Sequence, residues 1–344
     1  MSTAKKLVIV GLAVLSVRLA LLAGAGAAVG RYFEELFSGG NLISASISLE
    51  LGARQTPPAK PDAPAVGEVI SPLDFLSSAP PAPLPSPEPS PDKILETTIY
   101  GALVIRNATD LEIDEEALLA EGPSLLLPAE GPQILIIHTH SSEAYTPEGL
   151  DRYTPTDKDR TEDVHYNVVR VGDELTASLE SYGLSVLHDR EIYDYPSYTG
   201  SYSRSGKAVE AHLAKNPSIR IVIDVHRDAL GENGVVYKTM AEVDGETASQ
   251  VMLLCGTNES GLTHPDWREN LKLALYLQNA VNKKYPTLAR PVSLVNERYN
   301  QQLTHGSLIL EVGSSGNTLR EALCAVRLFA SACGPALSEL VEGK

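Results

Sequence analysis

The chain has 344 residues, 43% of them apolar and 21% charged, with a formal net charge of −16. That length and apolar share suffice to bury a core of catalytic size, while the acidic balance, with no basic run beyond the first residues, argues against nucleic acid or anionic lipid as partners of the folded body. Cys255, Cys324 and Cys333 are odd in number and match no metal spacing, so they read as small buried side chains rather than a disulfide framework.

Lys5 and Lys6 precede a mostly apolar stretch from Leu7 to Gly30. About 24 helical residues rise roughly 36 Å, enough to cross a hydrocarbon layer about 30 Å thick. The positive flank keeps the N-terminus in the cytoplasm and the body outside. Arg18 lies mid-stretch and costs roughly 2.5–3.5 kcal/mol on insertion scales, a cost that the apolar runs on either side offset. Residues 1–30 are therefore expected to form a single-pass transmembrane anchor, the alternative being a signal peptide cleaved near GAGAA. Residues 31–93 read as a proline-rich linker region, since twelve of the 35 residues from Pro57 to Pro91 are proline; such a stretch favours extended polyproline II and acts as a semi-rigid spacer. Residues 94–130 are a lead-in segment.

From 131 to 344 strands and helices alternate. QILIIHTH (133–140) is an unbroken aliphatic run, as strands buried on both faces are. Val168, Val171, Leu175, Leu179 and Tyr182 share one helical stripe that Gly183 ends, and LSVLHD is the next strand. SYSRSGKAVEAHLAKNP is an amphipathic helix closed by Asn216 and Pro217, and IRIVIDVHRD is again strand-like. VMLLCGT is a further strand, WRENLKLALYLQNAVNKKYP a long helix ended by Pro286, SLILEVGSSGN a strand and turn, and TLREALCAVRLFASACG a closing helix stopped by Gly334. This alternation predicts a single α/β domain with a mainly parallel or mixed central sheet and helices on both faces.

In such sheets ligands sit outside the carboxyl ends of the strands. Three strand ends here turn polar: His138, His140 and Glu143 after ILII; Asp224, His226, Arg227 and Asp228 within IRIVIDVHRD; and Glu311 within SLILEVG. Neutral imidazoles and a carboxylate are the ligand set of a catalytic zinc, which keeps one position open for water. A nearby carboxylate that is not a ligand then serves as base, and Glu311 fits that need. If the first strand continues, His138 and His140 face the same way and both ligate; if it ends near His138, the trio becomes His140, Glu143 and His226 with His138 behind it. Arg227, with Arg268 and Asn270 of HPDWREN, are candidates for substrate contact, and Tyr198, Tyr202 and Arg204 of PSYTGSYSRS belong to a polar and aromatic loop suited to sugars or peptides. Each histidine also has an ordinary reading as a hydrogen-bonded core residue. A serine hydrolase is a poor fit, because Ser314 and Ser315 do not form a G-x-S-x-G elbow.

HTHSSEAY, PSYTGSYSRS, IDVHRDA, HPDWRENLKLAL and ERYNQQLTHGSLILEVGSSGNT together resemble the stage II sporulation protein P family over roughly Gly131 to Ala332. The resemblance implies an α/β amidase fold and a zinc-dependent peptidoglycan hydrolase facing the cell wall. It would cleave the N-acetylmuramoyl-L-alanine amide and peptide cross-links during septal thinning and engulfment, alongside stage II sporulation proteins D and M. Carried over, His140, Glu143 and His226 would hold zinc and Glu311 would be the catalytic base. One departure touches the carboxylate ligand: the wider amidase pattern supplies it from the start of the first helix, and TEDVHYNVVRVG offers only Glu162 and His165 there. The alternative function is a wall-binding scaffold that recruits other hydrolases.

Overall fold

A computed structural model describes residues 93–232 and 235–343. The expected anchor at 1–30 and all but the last residue of the linker region lie outside them. The chain divides into two units, 1–74 and 75–344, and everything described belongs to the second. Among the described residues no helix is long and apolar enough to cross a membrane.

The elements run in the order β1 (Lys93–Ile94), β2 (Ile105–Asn107), α1 (Glu115–Glu121), β3 (Ile134–Ile137), α2 (Val168–Glu180), β4 (Val186–His188), α3 (Ser201–Lys215) and β5 (Ile221–Asp228). Then come β6 (Gly231–Glu232), β7 (Val235–Lys238), β8 (Met240–Val243), β9 (Glu246–Ser249), β10 (Val251–Gly256), α4 (Trp267–Lys284), β11 (Val292–Val295), β12 (Gly306–Ser314) and α5 (Leu319–Ser338). Seven strands form the central sheet in the order β2-β11-β10-β12-β5-β3-β4. Its neighbours are parallel except β10 and β12, so the sheet is mixed and mainly parallel.

Alternation along β3 shows why an unbroken aliphatic run was needed. Ile134 and Ile136 join Val171, Leu175 and Leu179 of α2 in the larger apolar cluster, whereas Leu135 and Ile137 join Val209 of α3, Ile219 and Val222 in a smaller one. Each fully buried Leu or Ile contributes roughly 1.5–3 kcal/mol, so both faces of the strand are held. Helix starts are set by side chains: Asn167 accepts from Val169 N at the head of α2, and Thr318 with Glu321 forms a capping box at the head of α5.

Three details depart from the sequence expectation. Helix α5 does not stop at Gly334 but runs through Pro335 to Ser338. A Cβ at Gly334 would lie 2.4 Å from the Tyr182 ring, so this glycine serves close packing. The carbonyl of Ser331, which Pro335 has no N–H to serve, accepts from Lys284 Nζ at 2.8 Å instead. The second departure is β11, which takes the parallel crossover from β10 through α4; the chain then turns back, and β12 enters antiparallel to β10, between it and β5. Finally, residues 229–250 carry two antiparallel pairs, β6 with β7 and β8 with β9, the former joined by β1, and β2 pairs with β11 at the sheet edge from within the lead-in range.

Candidate active site

Strand geometry selects which polar residues meet. Asp224 and His226 alternate with Val225 and Arg227 on β5, so they share the α3 face with Val222. Glu311 is in parallel register with His226, as Ile309 is with Asp224, and it emerges beside that ring on the same face. On the other flank β3 ends at Ile137, opposite Asp224. His140 then reaches the same place: its ring centroid is 5.3 Å from that of His226, with the planes 87° apart.

Glu143 closes the group. A turn directs its N–H to the His140 carbonyl at 3.0 Å. Its Oε2 accepts from Arg227 N at 3.1 Å and lies 3.5 Å from His226 Nδ1, and its Oε1 accepts from Arg160 at 3.3 Å. The Glu143 carbonyl also accepts from Val168 N, the first residue of α2. Glu143 therefore brings a carboxylate to the start of that helix although it lies 25 positions earlier in sequence, while Glu162 is exposed.

The charges in this cluster are set by one another. Burial alone would raise the Glu143 carboxyl, but the hydrogen bond to His226 and the Arg227 charge hold it well below the ordinary range. Burial, the largest effect, lowers His140 to about 4. Burial also disfavours a proton on His226, yet the flanking Asp224 and Glu143 carboxylates outweigh that and hold its proton well above the ordinary range. Burial pushes Glu311 up to about 8, with Asp228 and Glu143 adding to the rise and His226 opposing it. Asp224 is fixed by Thr139, whose N–H and hydroxyl both donate to its carboxylate at 2.7 and 2.6 Å.

The residue types suit a divalent cation: two imidazoles and an ionised carboxylate, beside a carboxyl that stays protonated near neutral pH. Two atoms support that fit. His226 Nε2 is 2.9 Å from Asp224 Oδ1 but is not directed at it, and Glu311 Oε2 is likewise buried; neither has a hydrogen-bond partner. Among the described residues, no group of three or more His, Cys, Asp and Glu side chains is arranged to hold a metal ion as it stands.

The structure does not bring the other candidates into the cluster. His138 points to the α2 side: Nδ1 donates to Val225 O at 3.0 Å and Nε2 faces His188 Nε2 at 2.8 Å, so both ring nitrogens are engaged. Burial, then the neighbouring His188, lowers it to about 3. His138 therefore stands behind the cluster, where its bond to the Val225 carbonyl steadies the strand carrying His226. Arg227, expected at the substrate, is buried and spends its guanidinium on the carbonyls of Ala144 and Asp159 at 2.9 and 2.8 Å; being next to His226 on a strand, it faces the other way. Asn270 is fully buried and latches Gln301 O and Ser307 N to α4. Arg268 lies over the Trp267 ring, 4.7 Å from its centroid.

Sequence reasoning missed Arg160 and Asp194, which lie in loops without periodicity. Asp194 is buried and accepts from Ser142 N at 3.0 Å, Ser142 Oγ at 2.7 Å and Arg160 at 2.5 Å. The aromatic loop singled out in the sequence does reach the site: Tyr198 stacks on His140 and Tyr202 meets the same ring edge-on.

Residues 105–334 match the stage II sporulation protein P family. The chain belongs to that family. Stage II sporulation protein P of Bacillus subtilis (strain 168) is 28% identical over 253 residues, which cover 69% of this chain and 58% of that one, less than two thirds of the relative's length. Solved structures similar to this chain include the amidase AmiC2 of Nostoc punctiforme, at 12% identity and a TM-score of 0.35 over 61% of this chain and 97% of that one. Another is the CwlD amidase of Clostridioides difficile, solved with the GerS lipoprotein, at 14% identity and a TM-score of 0.36 over 60% and 98%. An N-acetylmuramoyl-L-alanine amidase of Clostridium difficile 630 gives 11% identity and a TM-score of 0.38 over 61% and 97%.

Proposed function

We propose that this protein is a membrane-tethered, zinc-dependent peptidoglycan hydrolase that cleaves the N-acetylmuramoyl-L-alanine amide and peptide cross-links during sporulation. The observation that carries the reading is the pairing of Glu311 with His226 across β12 and β5, its carboxyl pushed up to about 8 and one oxygen unpartnered, beside His140 and Glu143. Family membership supports the cell-wall substrate and the sporulation role. The lysine-flanked apolar stretch at 1–30 supports the tether, and stage II sporulation proteins D and M are the partners that membership suggests.

His140, Glu143 and His226 would hold the ion, His226 first giving up the proton that Asp224 and Glu143 now keep on it. A zinc ion bound there supplies Lewis-acid polarisation of the scissile carbonyl and acidifies water. In its ionised form Glu311 would take a proton from the attacking water as the new C–O bond forms and return it to the departing nitrogen as the C–N bond breaks. A group serving both steps needs a pKa near the working pH, which is what burial gives Glu311. Arg160 keeps one Glu143 oxygen occupied, and the Arg227 N–H directs the other.

The test uses the full chain on purified cell wall, counting new amino termini. Activity should vanish with a chelator and return with added zinc. Undiminished release in chelator rejects the metal reading, and tight wall binding without any new amino termini replaces the enzyme with a scaffold.

A further inference from the structure

Tyr198 has no part in the chemistry above, yet its surroundings are those of a fixed component. Its ring stacks on His140 with centroids 4.4 Å apart and planes 9° from parallel, and its hydroxyl lies 3.0 Å from His140 Nε2. The Arg160 guanidinium, which also binds Glu143 and Asp194, sits 5.0 Å from the Tyr198 ring centroid. One aromatic ring thus touches His140 directly and Glu143 through Arg160. The stack and the hydroxyl's hydrogen bond to Nε2 come from the same side chain, and replacing Tyr198 by Phe separates them.

The loop that presents Tyr198 is fastened independently of it. Asp194 ties one end to the Ser142 turn. Arg204 gathers the carbonyls of Tyr193, Ser197 and Thr199 onto the first turn of α3. The residue is nonetheless 54% exposed, so burying apolar surface does not by itself account for its position. His140, beneath it, is only 7% exposed.

We propose that Tyr198 is a positioning residue, an aromatic wedge whose stacked face sets the His140 ring against His226 and screens it from solvent. The inference rests on the reading of His140 as a ligand, but its first test does not. In metal-free protein, diethyl pyrocarbonate labelling of His140, followed by peptide mass spectrometry, should be slow in wild type and in Tyr198→Phe, which keeps the ring. It should be severalfold faster in Tyr198→Ala, with the melting temperature unchanged because the residue is largely exposed. Equal labelling in wild type and Tyr198→Ala overturns the wedge. Faster labelling in Tyr198→Phe also overturns it, since the hydroxyl and not the stack would then be holding the ring.

The second measurement is zinc affinity by competition with a chelating dye. Loss of a group that orients a ligand typically costs about 10–100-fold in metal affinity, so Tyr198→Ala should weaken binding by that factor and Tyr198→Phe should not. Zinc bound equally by wild type and Tyr198→Ala overturns the positioning role while leaving the metal reading intact. A wild-type protein that binds no zinc, yet shields His140 only when residue 198 is aromatic, rejects the metal reading and keeps the wedge.

Discussion

Glu311 combines properties that a structural carboxylate rarely has. It lies next to an imidazole that two other carboxylates already claim, and one of its oxygens is buried without a partner. Glu311→Gln preserves shape and should retain zinc while lowering turnover by roughly 10²–10⁴-fold, the usual contribution of a general acid and base; elemental analysis that finds the metal gone would make Glu311 a ligand instead. The same residue predicts a pH effect in metal-free protein. Its folded pKa of about 8 exceeds the ordinary 4.5, so between those values the folded chain holds a proton that the unfolded chain has lost. Stability from this group is complete below about 4.5 and is lost as pH rises through 8. Urea midpoints of wild type and Glu311→Gln should therefore diverge in favour of Gln by a few kcal/mol at most between pH 5 and 9, and parallel curves would refute the shift. These residues were readable in advance because alternation on β5 and β12 places Asp224, His226 and Glu311 on one face. The same rule sends Arg227 to the opposite face. Arg160 and Asp194 were not readable, since nothing local marks a loop residue that meets the site only through the fold.

At the level of elements, α2 shows how tightly the site's support is packed. A Cβ on Gly172 would meet His138 Nε2 at 2.5 Å and His188 Nε2 at 2.6 Å, and both rings are held by hydrogen bonds or ion pairs. Gly172→Ala should cost roughly 1–3 kcal/mol by overpacking, despite alanine's better helix propensity, and urea unfolding would reveal the sign. An increase in stability would mean that the two rings can move apart. The helices were legible because their apolar stripes and caps are local signals, and the long strands because they are continuous aliphatic runs. Strands β2, β11 and β6 to β9 were not, being at most four residues each and partly polar. Missing β11 also hid the antiparallel entry of β12, since β10, α4 and β12 alone read as a parallel unit. Gly334 misled for a different reason: its lack of a side chain serves the Tyr182 ring and not the end of a helix.

For the molecule as a whole, several buried groups act together in acid. Burial lowers His138 to about 3 and His140, His188 and His264 to about 4, and the Glu143 carboxyl is depressed despite its burial. For each, the unfolded chain takes up protons before the folded chain does, so stability falls as pH drops below about 6.5 for the imidazoles and below about 4.5 for the carboxylate. His226 and Glu311 act in the opposite sense at higher pH. Stability of the metal-free protein should therefore peak near pH 6–7 and fall steeply toward pH 4, as measured by denaturant midpoints across that range. A midpoint unchanged at pH 4 would show that the imidazoles are not buried in the neutral form.

The order of strands in the sheet also has a bearing on synthesis. β12 fills the middle of the sheet although it is the last to be made of the described strands, so a chain growing from its amino end keeps a gap between β10 and β5 until residues 306–314 arrive. The proposed base arrives with them. A nascent or truncated polypeptide ending before that point therefore carries both histidines without the carboxyl beside them, and the proposed site stays incomplete until residues 306–314 have been made.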